Sequence, residues 1–325
     1  MKAVIYDRYG PPEVLELRDV PTPVPADDEI LIKILATSVN RSDWEGLIGK
    51  PLYARIGGLR KPRRQILGSD IAGTVERAGK LHRLFQPGDE VFGDILEHMG
   101  GFAEYVCVRG RVMAKKPAGL TFEQAAAIPQ AGVIALQGIR DKGQVQPGQK
   151  VLINGAGGGG TFAVQLAKYY GAEVTAVDNA GKLDFLRSLG ADHVIDYTRQ
   201  DFTRTGGQYD LIIDLVASSS VFTLPRALTP HGKYYFVGGS GARLFQILLI
   251  GPWLGKNAGK KIRLLAVQPN RQDLLAIAEL CETGKIVPVI DRRFSLSEVP
   301  QALQYLGEGR TRGKIVITMN SPGRA

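Results

Sequence analysis

The chain has 325 residues, 44% of them hydrophobic and 22% charged, with a formal charge of +9. That length exceeds one ordinary core and predicts two domains, and the composition is that of a soluble globular protein. Its two cysteines, Cys107 and Cys281, lie far apart in no C-x-x-C spacing, which excludes a disulfide framework and a four-cysteine zinc site.

The N-terminal residues 1–6 enter a strand directly, with no signal-peptide core, so a cytoplasmic protein is expected. Up to about residue 120 the chain reads as short strands, among them 29–35 and 104–108. Turn signals at 9–12, 21–25 and 86–89 separate them, which suggests a mostly antiparallel, barrel-like β domain. Arg55, Arg60, Lys61, Arg63 and Arg64 crowd one glycine-containing loop. They read as a solvated basic loop, or as a rim that steers a phosphorylated cofactor, an acidic substrate or RNA.

A helix over 121–127 opens an α/β region. The apolar run 151–154 then stops at Gly155-Ala156-Gly157-Gly158-Gly159-Gly160, and a helix-forming segment follows. Gly155, Gly157 and Gly160 satisfy G-x-G-x-x-G in a strand–turn–helix context. Such glycines let the backbone approach a pyrophosphate, and the helix N-terminus offers it free N–H groups. A second strand ends at Asp178, where an acid that binds ribose is expected. A helix over 182–189 and strands over 193–195, 211–214 and 234–238 continue the alternation, which means a parallel, doubly wound sheet. The most apolar window, 244–254, contains Gly251 and Pro252 and is shorter than the roughly eighteen residues of a membrane span. Beyond about residue 267 come a helix over 272–282, a strand at 287–290, a helix over 297–306 and a strand over 314–317. Periodicity leaves open whether this tail extends the parallel sheet or returns to the first domain.

Several segments together resemble the medium-chain dehydrogenase/reductase superfamily over essentially the full length. They are V-N-R-S-D at 39–43, G-S-D-I-A-G-T-V at 68–75, P-G-D-E-V at 87–91, G-F-A-E-Y at 101–105 and R-G-K-I-V at 312–316. The resemblance implies a GroES-like catalytic domain built from both termini, residues 1–120 and 268–325, around a Rossmann domain at 121–267. In the family's zinc enzymes a Cys stands where Asn40 stands, and G-H-E where Gly68-Ser69-Asp70 stand. Neither Asn nor Ser is a plausible zinc anchor, so no metal is expected and the chain resembles the zinc-free quinone oxidoreductase (zeta-crystallin-like) branch. That branch implies hydride transfer from NAD(P)H to a quinone or to the β-carbon of an α,β-unsaturated carbonyl.

The chain departs from the branch in three places. The glycine loop is one residue shorter than G-A-S-G-G-V-G-T, Ile134 replaces a common Thr, and Asp178 stands where a small or polar residue is usual. A carboxylate there favours the ribose hydroxyls of NADH and repels a 2′-phosphate, whereas Lys182 and Tyr197 stand where NADPH users place a Lys and a Tyr. The balance tips to NADPH, with NADH possible. Asn40 is the first catalytic candidate, either donating to the substrate carbonyl or capping the next helix. Lys314, set by the resemblance near the catalytic cleft, is a second candidate as proton donor, against an ordinary exposed lysine. The backbone at Gly238 and Gly239 is expected to line the nicotinamide. The window 244–253 reads as an apolar flap over a hydrophobic substrate, or as core or dimer interface.

The expected protein is thus a cytoplasmic, homodimeric, zinc-independent reductase of quinones or enones. Neither a membrane nor nucleic acid is an expected partner. An alcohol or aldehyde oxidoreductase, or a catalytically weak nucleotide- or RNA-binding protein on the same fold, stands as the alternative.

Overall fold

The computed structural model describes residues 1–55 and 58–319. The N-terminal part carries strands β1 (Lys2–Ile5), β2 (Glu16–Asp19), β3 (Glu29–Val39), β4 (Asp70–Ala78), β5 (Glu90–Asp94), β6 (Tyr105–Arg109) and β7 (Met113–Lys115). The middle carries β8 (Lys150–Asn154), β9 (Glu173–Asp178), β10 (His193–Asp196), β11 (Tyr209–Asp214), β12 (Leu228–Phe236) and β13 (Lys261–Leu264). The C-terminal part adds β14 (Ile290–Ser295) and β15 (Lys314–Thr318).

These strands form two units. The first comprises Met1–Val133, Pro269–Gly284 and the chain from Pro288 onward; the second comprises Ile134–Gln268 with Lys285–Val287. The helix Phe122–Ala127, expected with the central domain, packs on β3 and β4 in the first unit, where Ala125, Ala126 and Ala127 are fully buried. Its small, apolar face needs the barrel's surface to leave water, so the boundary moves past it.

In the first unit the sheet runs β14-β15-β3-β4-β5-β7, with β6 paired to β3. The long strand β3 organises it. One of its edges pairs with β4, while the other pairs with β6 at Glu29–Lys33 and passes to β15 at residues 36–39. The C-terminal strand therefore lies antiparallel to β3 inside the N-terminal domain. One core cluster joins Val4, Val39, Leu67 and Phe102 to Leu303, Ile315 and Ile317. The tail returns.

In the second unit the parallel sheet has the order β10-β9-β8-β11-β12-β13. The chain winds outward from β8 in one direction, then from β11 in the other. The switch point thus falls between β8 and β11, where doubly wound sheets bind their ligands at the strands' C-terminal ends. The edge strand β13 gives no signal that had been read in the sequence. The strand expected at 287–290 starts later, at Ile290, because both backbone polar groups of Val287 are taken by the amide of Gln165, at 2.9 and 3.0 Å.

Phe102 is fully buried where the two ends of the chain meet. Phe102→Ala should cost ~3–5 kcal/mol, read as a lower urea midpoint for the first unit. A loss under about 1 kcal/mol would mean that the site collapses around the missing ring.

Candidate active site

The first unit buries an unusual number of charges at one place. Asn40 directly follows β3 and is the N-cap of the helix Arg41–Ile48, where it forms a capping box with Asp43. Its amide Nδ2 donates to Ser69 Oγ at 3.0 Å and to Asp70 Oδ2 at 2.8 Å. Its Oδ1 accepts from Lys314 Nζ at 2.5 Å, and the same ammonium lies 3.3 Å from Asp70 Oδ2. Asp70 is fully buried, and the Lys314 side chain is only 1% exposed. Ser38 Oγ and the backbone N–H of Gln130 complete the shell of the Asp70 carboxylate.

Both amide hydrogens of Asn40 are therefore bound within the protein, and so is its oxygen. Lys314, read from sequence as an exposed lysine or a proton donor, is neither exposed nor loose. Asp43, Asp70 and Gln130 were not assigned roles from sequence. The only hint was that Asn40, Asp43 and Asp70 lie in motifs that the resemblance singled out for another reason, the missing zinc.

Two further carboxyls feel this cluster. Burial raises Asp43 to about 7, and the charge of Asp70 adds to the shift. N–H groups of Asn40 and Gly68 and the charge of Lys314 oppose it. Burial and the Asp70 charge likewise raise Asp94 to about 7, against a hydrogen bond each from Leu96 and Gln130. One buried cation cannot compensate three carboxylates, so two of them hold protons more tightly.

In the second unit the glycine loop is braced by an acid. Gly155 adopts φ +109°, a conformation that favours glycine. The next N–H, of Ala156, donates to Asp178 Oδ2 at 2.7 Å. Asp178 Oδ1 accepts from both nitrogens of Asn179, and Lys182 Nζ lies 3.4 Å away. The carboxylate read as a free ribose acceptor is thus buried and turned into the loop, and its charge is balanced by Lys182. Tyr197 joins the same sheet edge: its N–H donates to the Asp178 carbonyl, and its side chain is exposed.

The helix Gly158–Tyr169 follows with Gly157 as N-cap and no side-chain cap. Among the described residues no side chain caps the first-turn amides of Gly158, Gly159 and Gly160, the donors that a helix N-terminus offers to a pyrophosphate. A Cβ at Gly160 would sit 1.8 Å from the Gly155 carbonyl oxygen, so only glycine closes this turn. A second carboxylate, Asp214 at the end of β11, holds the next loop. It accepts from Asn154, Val216, Ala217 and Tyr234, while Val237 and Gly238 donate to its carbonyl. Gly238 and Gly239 thereby stand at the C-terminal end of β12, beside the end of β11. These residues fit a dinucleotide.

A Rossmann sheet with a glycine-loop helix, together with a barrel assembled from both termini, defines the class of dinucleotide-linked dehydrogenases. The chain belongs to the medium-chain dehydrogenase/reductase superfamily, in its quinone oxidoreductase branch. An alcohol dehydrogenase GroES-like domain matches residues 26–118, and a zinc-binding dehydrogenase domain matches residues 189–317. The chain is 34% identical to a 2-methylene-furan-3-one reductase of Solanum lycopersicum, over 98% of this chain and 79% of that protein. It is 30% identical, with the same coverage, to a chloroplastic NADPH-dependent alkenal/one oxidoreductase of Arabidopsis thaliana. The solved structure of the quinone oxidoreductase from Coxiella burnetii superposes with a TM-score of 0.89 at 32% identity, covering 98% and 99% of the two chains.

Zinc, which the name of one matching domain implies, does not fit this donor set. Asn40 and Ser69 are poor ligands, and the Lys314 ammonium already neutralises Asp70. A dication there would meet like charge.

Two outcomes are expected. Since Asp43 and Asp94 titrate at about 7 when folded but near 3.8 when unfolded, the folded chain binds more protons between those values. Stability then falls as pH rises through that window, so the urea midpoint should be lower at about pH 8 than at about pH 5. A midpoint that rises over the same interval would show the carboxyls to be ionised at low pH. Lys314→Met, which strands Asp70 without its cation, should cost ~3–5 kcal/mol. Adding Asp70→Asn should recover part of that loss in a double-mutant cycle, whereas strict additivity would mean that the two groups do not interact.

Proposed function

We propose that this protein is a zinc-independent, NAD(P)H-dependent reductase of quinones or α,β-unsaturated carbonyls, with NADPH as the preferred donor. The observation that carries the reading is the glycine loop: first-turn amides with no side-chain cap among the described residues, braced by an Asp178 carboxylate whose charge Lys182 balances. The named relatives support the acceptor class, since they are described as a 2-methylene-furan-3-one reductase, an alkenal/one oxidoreductase and a quinone oxidoreductase.

When bound, the reduced nicotinamide would supply the hydride to an electron-poor carbon. The amides of Gly158, Gly159 and Gly160 would hold the pyrophosphate, and the backbone at Gly238 and Gly239 would line the ring. Lys182 and Tyr197 supply a cation and a hydroxyl near the ribose position. Asp178, spent on the loop and on Lys182, no longer repels a 2′-phosphate as a free acid would. Asn40 and Lys314 act as positioning residues, since their polar atoms are engaged with each other and with Ser69 and Asp70. A reduced quinone or an enolate takes its proton readily from water, so no dedicated acid is required. A cytoplasmic homodimer completes the proposal.

The test is steady-state kinetics with purified, metal-free protein, a simple quinone, and either NADPH or NADH. NADPH should give the higher kcat/KM, and Lys182→Met should lower the NADPH value at least about tenfold, with a smaller effect on NADH. An equal loss with both donors would remove Lys182 from phosphate recognition. Absence of turnover with any quinone or enone would overturn the reductase reading.

A further inference from the structure

One loop of the first unit gathers much of the chain's positive charge. Residues 46–69, like residues 215–272 of the second unit, contain no Asp or Glu, and they carry six Lys or Arg. This stretch leaves the candidate active site and comes back to it. It runs from the helix that Asn40 caps to β4, which starts at Asp70, and the side chains of those two residues meet at 2.8 Å. Just before its end, the Gly68 N–H donates to Asp43 Oδ1 at 3.0 Å.

The inner side of the loop is tied down. Arg55 Nε donates to the Gly49 carbonyl at 2.8 Å, and its guanidinium lies 4.7 Å from the centre of the Tyr9 ring. The Tyr9 hydroxyl donates to the Gly58 carbonyl at 2.6 Å. A Cβ at Gly58 would meet the Lys61 carbonyl oxygen at 2.3 Å and the Arg63 nitrogen at 3.0 Å, so residues 58–63 close into a tight turn. Pro62 is buried within it, whereas Arg60, Lys61 and Arg63 are exposed. Arg64 Nη1 donates to the Leu96 carbonyl at 3.0 Å, and the Leu96 N–H donates to Asp94 Oδ1 at 2.8 Å. Asp94 feels the charge of Asp70, so the turn is anchored at the edge of the buried cluster. From Arg63 to Gly68 the chain can span at most about 18 Å.

Among the described residues Arg60, Lys61 and Arg63 make no ion pair. Three cations held on one closed turn repel one another, and a bound anion relieves that repulsion. Leu59, 74% exposed, stands beside them.

We propose that this turn selects the acceptor: a quinone or α,β-unsaturated carbonyl whose far end carries a carboxylate or a phosphate. Arg60, Lys61 and Arg63 bind the anionic end, and the apolar stem of the acceptor passes Leu59. The proposal rests on the reductase reading of the site and narrows its substrate class. The phosphates of the dinucleotide have their own partners in that reading, the Gly158–Gly160 amides and Lys182 of the second unit. A nucleic-acid strand presents a track of phosphates and calls for cations along a groove, with open aromatic rings between them. Here the cations stand on a single turn, and the Tyr9 ring is covered by Arg55.

The test is a matched series on one reacting ring, a benzoquinone whose alkyl tail ends in a carboxylate, a phosphate monoester or a neutral methyl ester. At saturating NADPH, kcat/KM for the anionic quinones should exceed that for the ester at least about tenfold, through KM, and the excess should shrink in roughly 0.5 M salt. The larger of the two anionic values tells a carboxylate site from a phosphate site. R60Q/K61Q/R63Q should bring the three values within about twofold of one another. Removal of three exposed cations elsewhere, K33Q/K80Q/K285Q, should keep them apart. Titration calorimetry with the corresponding hydroquinones, which accept no hydride, reads the same preference without turnover. Preferential binding of the anionic hydroquinones with turnover of no quinone would defeat the reductase reading alone and keep the anion site. Equal values for acid and ester, in turnover and in binding, would overturn the proposal, as would a preference that survives R60Q/K61Q/R63Q. Equal values together with polyuridylate binding that this variant abolishes would assign the turn to nucleic acid.

Discussion

The ion pair between Lys314 and Asp70 is the contact on which the first unit depends. It joins residues 244 positions apart, and both side chains are buried. A carboxylate and an ammonium removed from water cost more than their attraction returns unless further hydrogen bonds satisfy both. Here Asn40, Ser38 and the Gln130 N–H supply those bonds. The consequence is topological: β15 can occupy the edge of β3 only in the register that brings Lys314 to Asn40. A one-residue slip would point the ammonium at the opposite face and leave Asp70 bare. Hydrophobic burial of Ile315 and Ile317 drives the return of the tail, and the ion pair fixes where it stops.

The same device, a buried aspartate whose oxygens accept backbone N–H groups, recurs wherever a loop must hold its shape. Asp43 takes N–H groups from Asn40 and Gly68, Asp178 from Ala156 and Asn179, and Asp214 from Val216 and Ala217. Each acid sits at the end of a strand or the start of a helix, where backbone donors have no ladder partner. For the shortened glycine loop this matters most. A turn with one residue fewer has fewer internal ways to satisfy its amides, and Asp178 supplies the missing acceptor. That role also explains why an acid can stand at a ribose position in an enzyme read as using NADPH: its charge is already assigned.

Much of this was legible in the sequence and some was not, for identifiable reasons. The parallel strands at 151–154, 173–178 and 211–214 announced themselves because both faces are buried, so that short runs rich in Val, Leu and Ile end at a polar residue (Asn154, Asp178 or Asp214). The glycine loop was legible because only one residue type can occupy Gly155 and Gly160. The return of the tail was invisible to periodicity, because a strand buried in one sheet looks like a strand buried in another. β13 escaped because Lys261 and Arg263 alternate with a single buried Ile262, the pattern of a short edge strand. The site was half legible. Asn40 and Lys314 were found through their motifs, but their engagement with each other spans nearly the whole chain. No local pattern could show that an amide and an ammonium would satisfy one another rather than a substrate.

The placement of charge ties these points together. The acids that matter lie inside, holding loops and the ends of the chain, whereas a stretch of the Rossmann unit has no acids at all. An acid-free stretch in the same unit as the glycine-loop helix would raise the local concentration of a polyphosphate cofactor through long-range attraction. Both the glycine loop and the turn at Gly238 and Gly239 belong to the second unit, at the C-terminal edge of a single sheet.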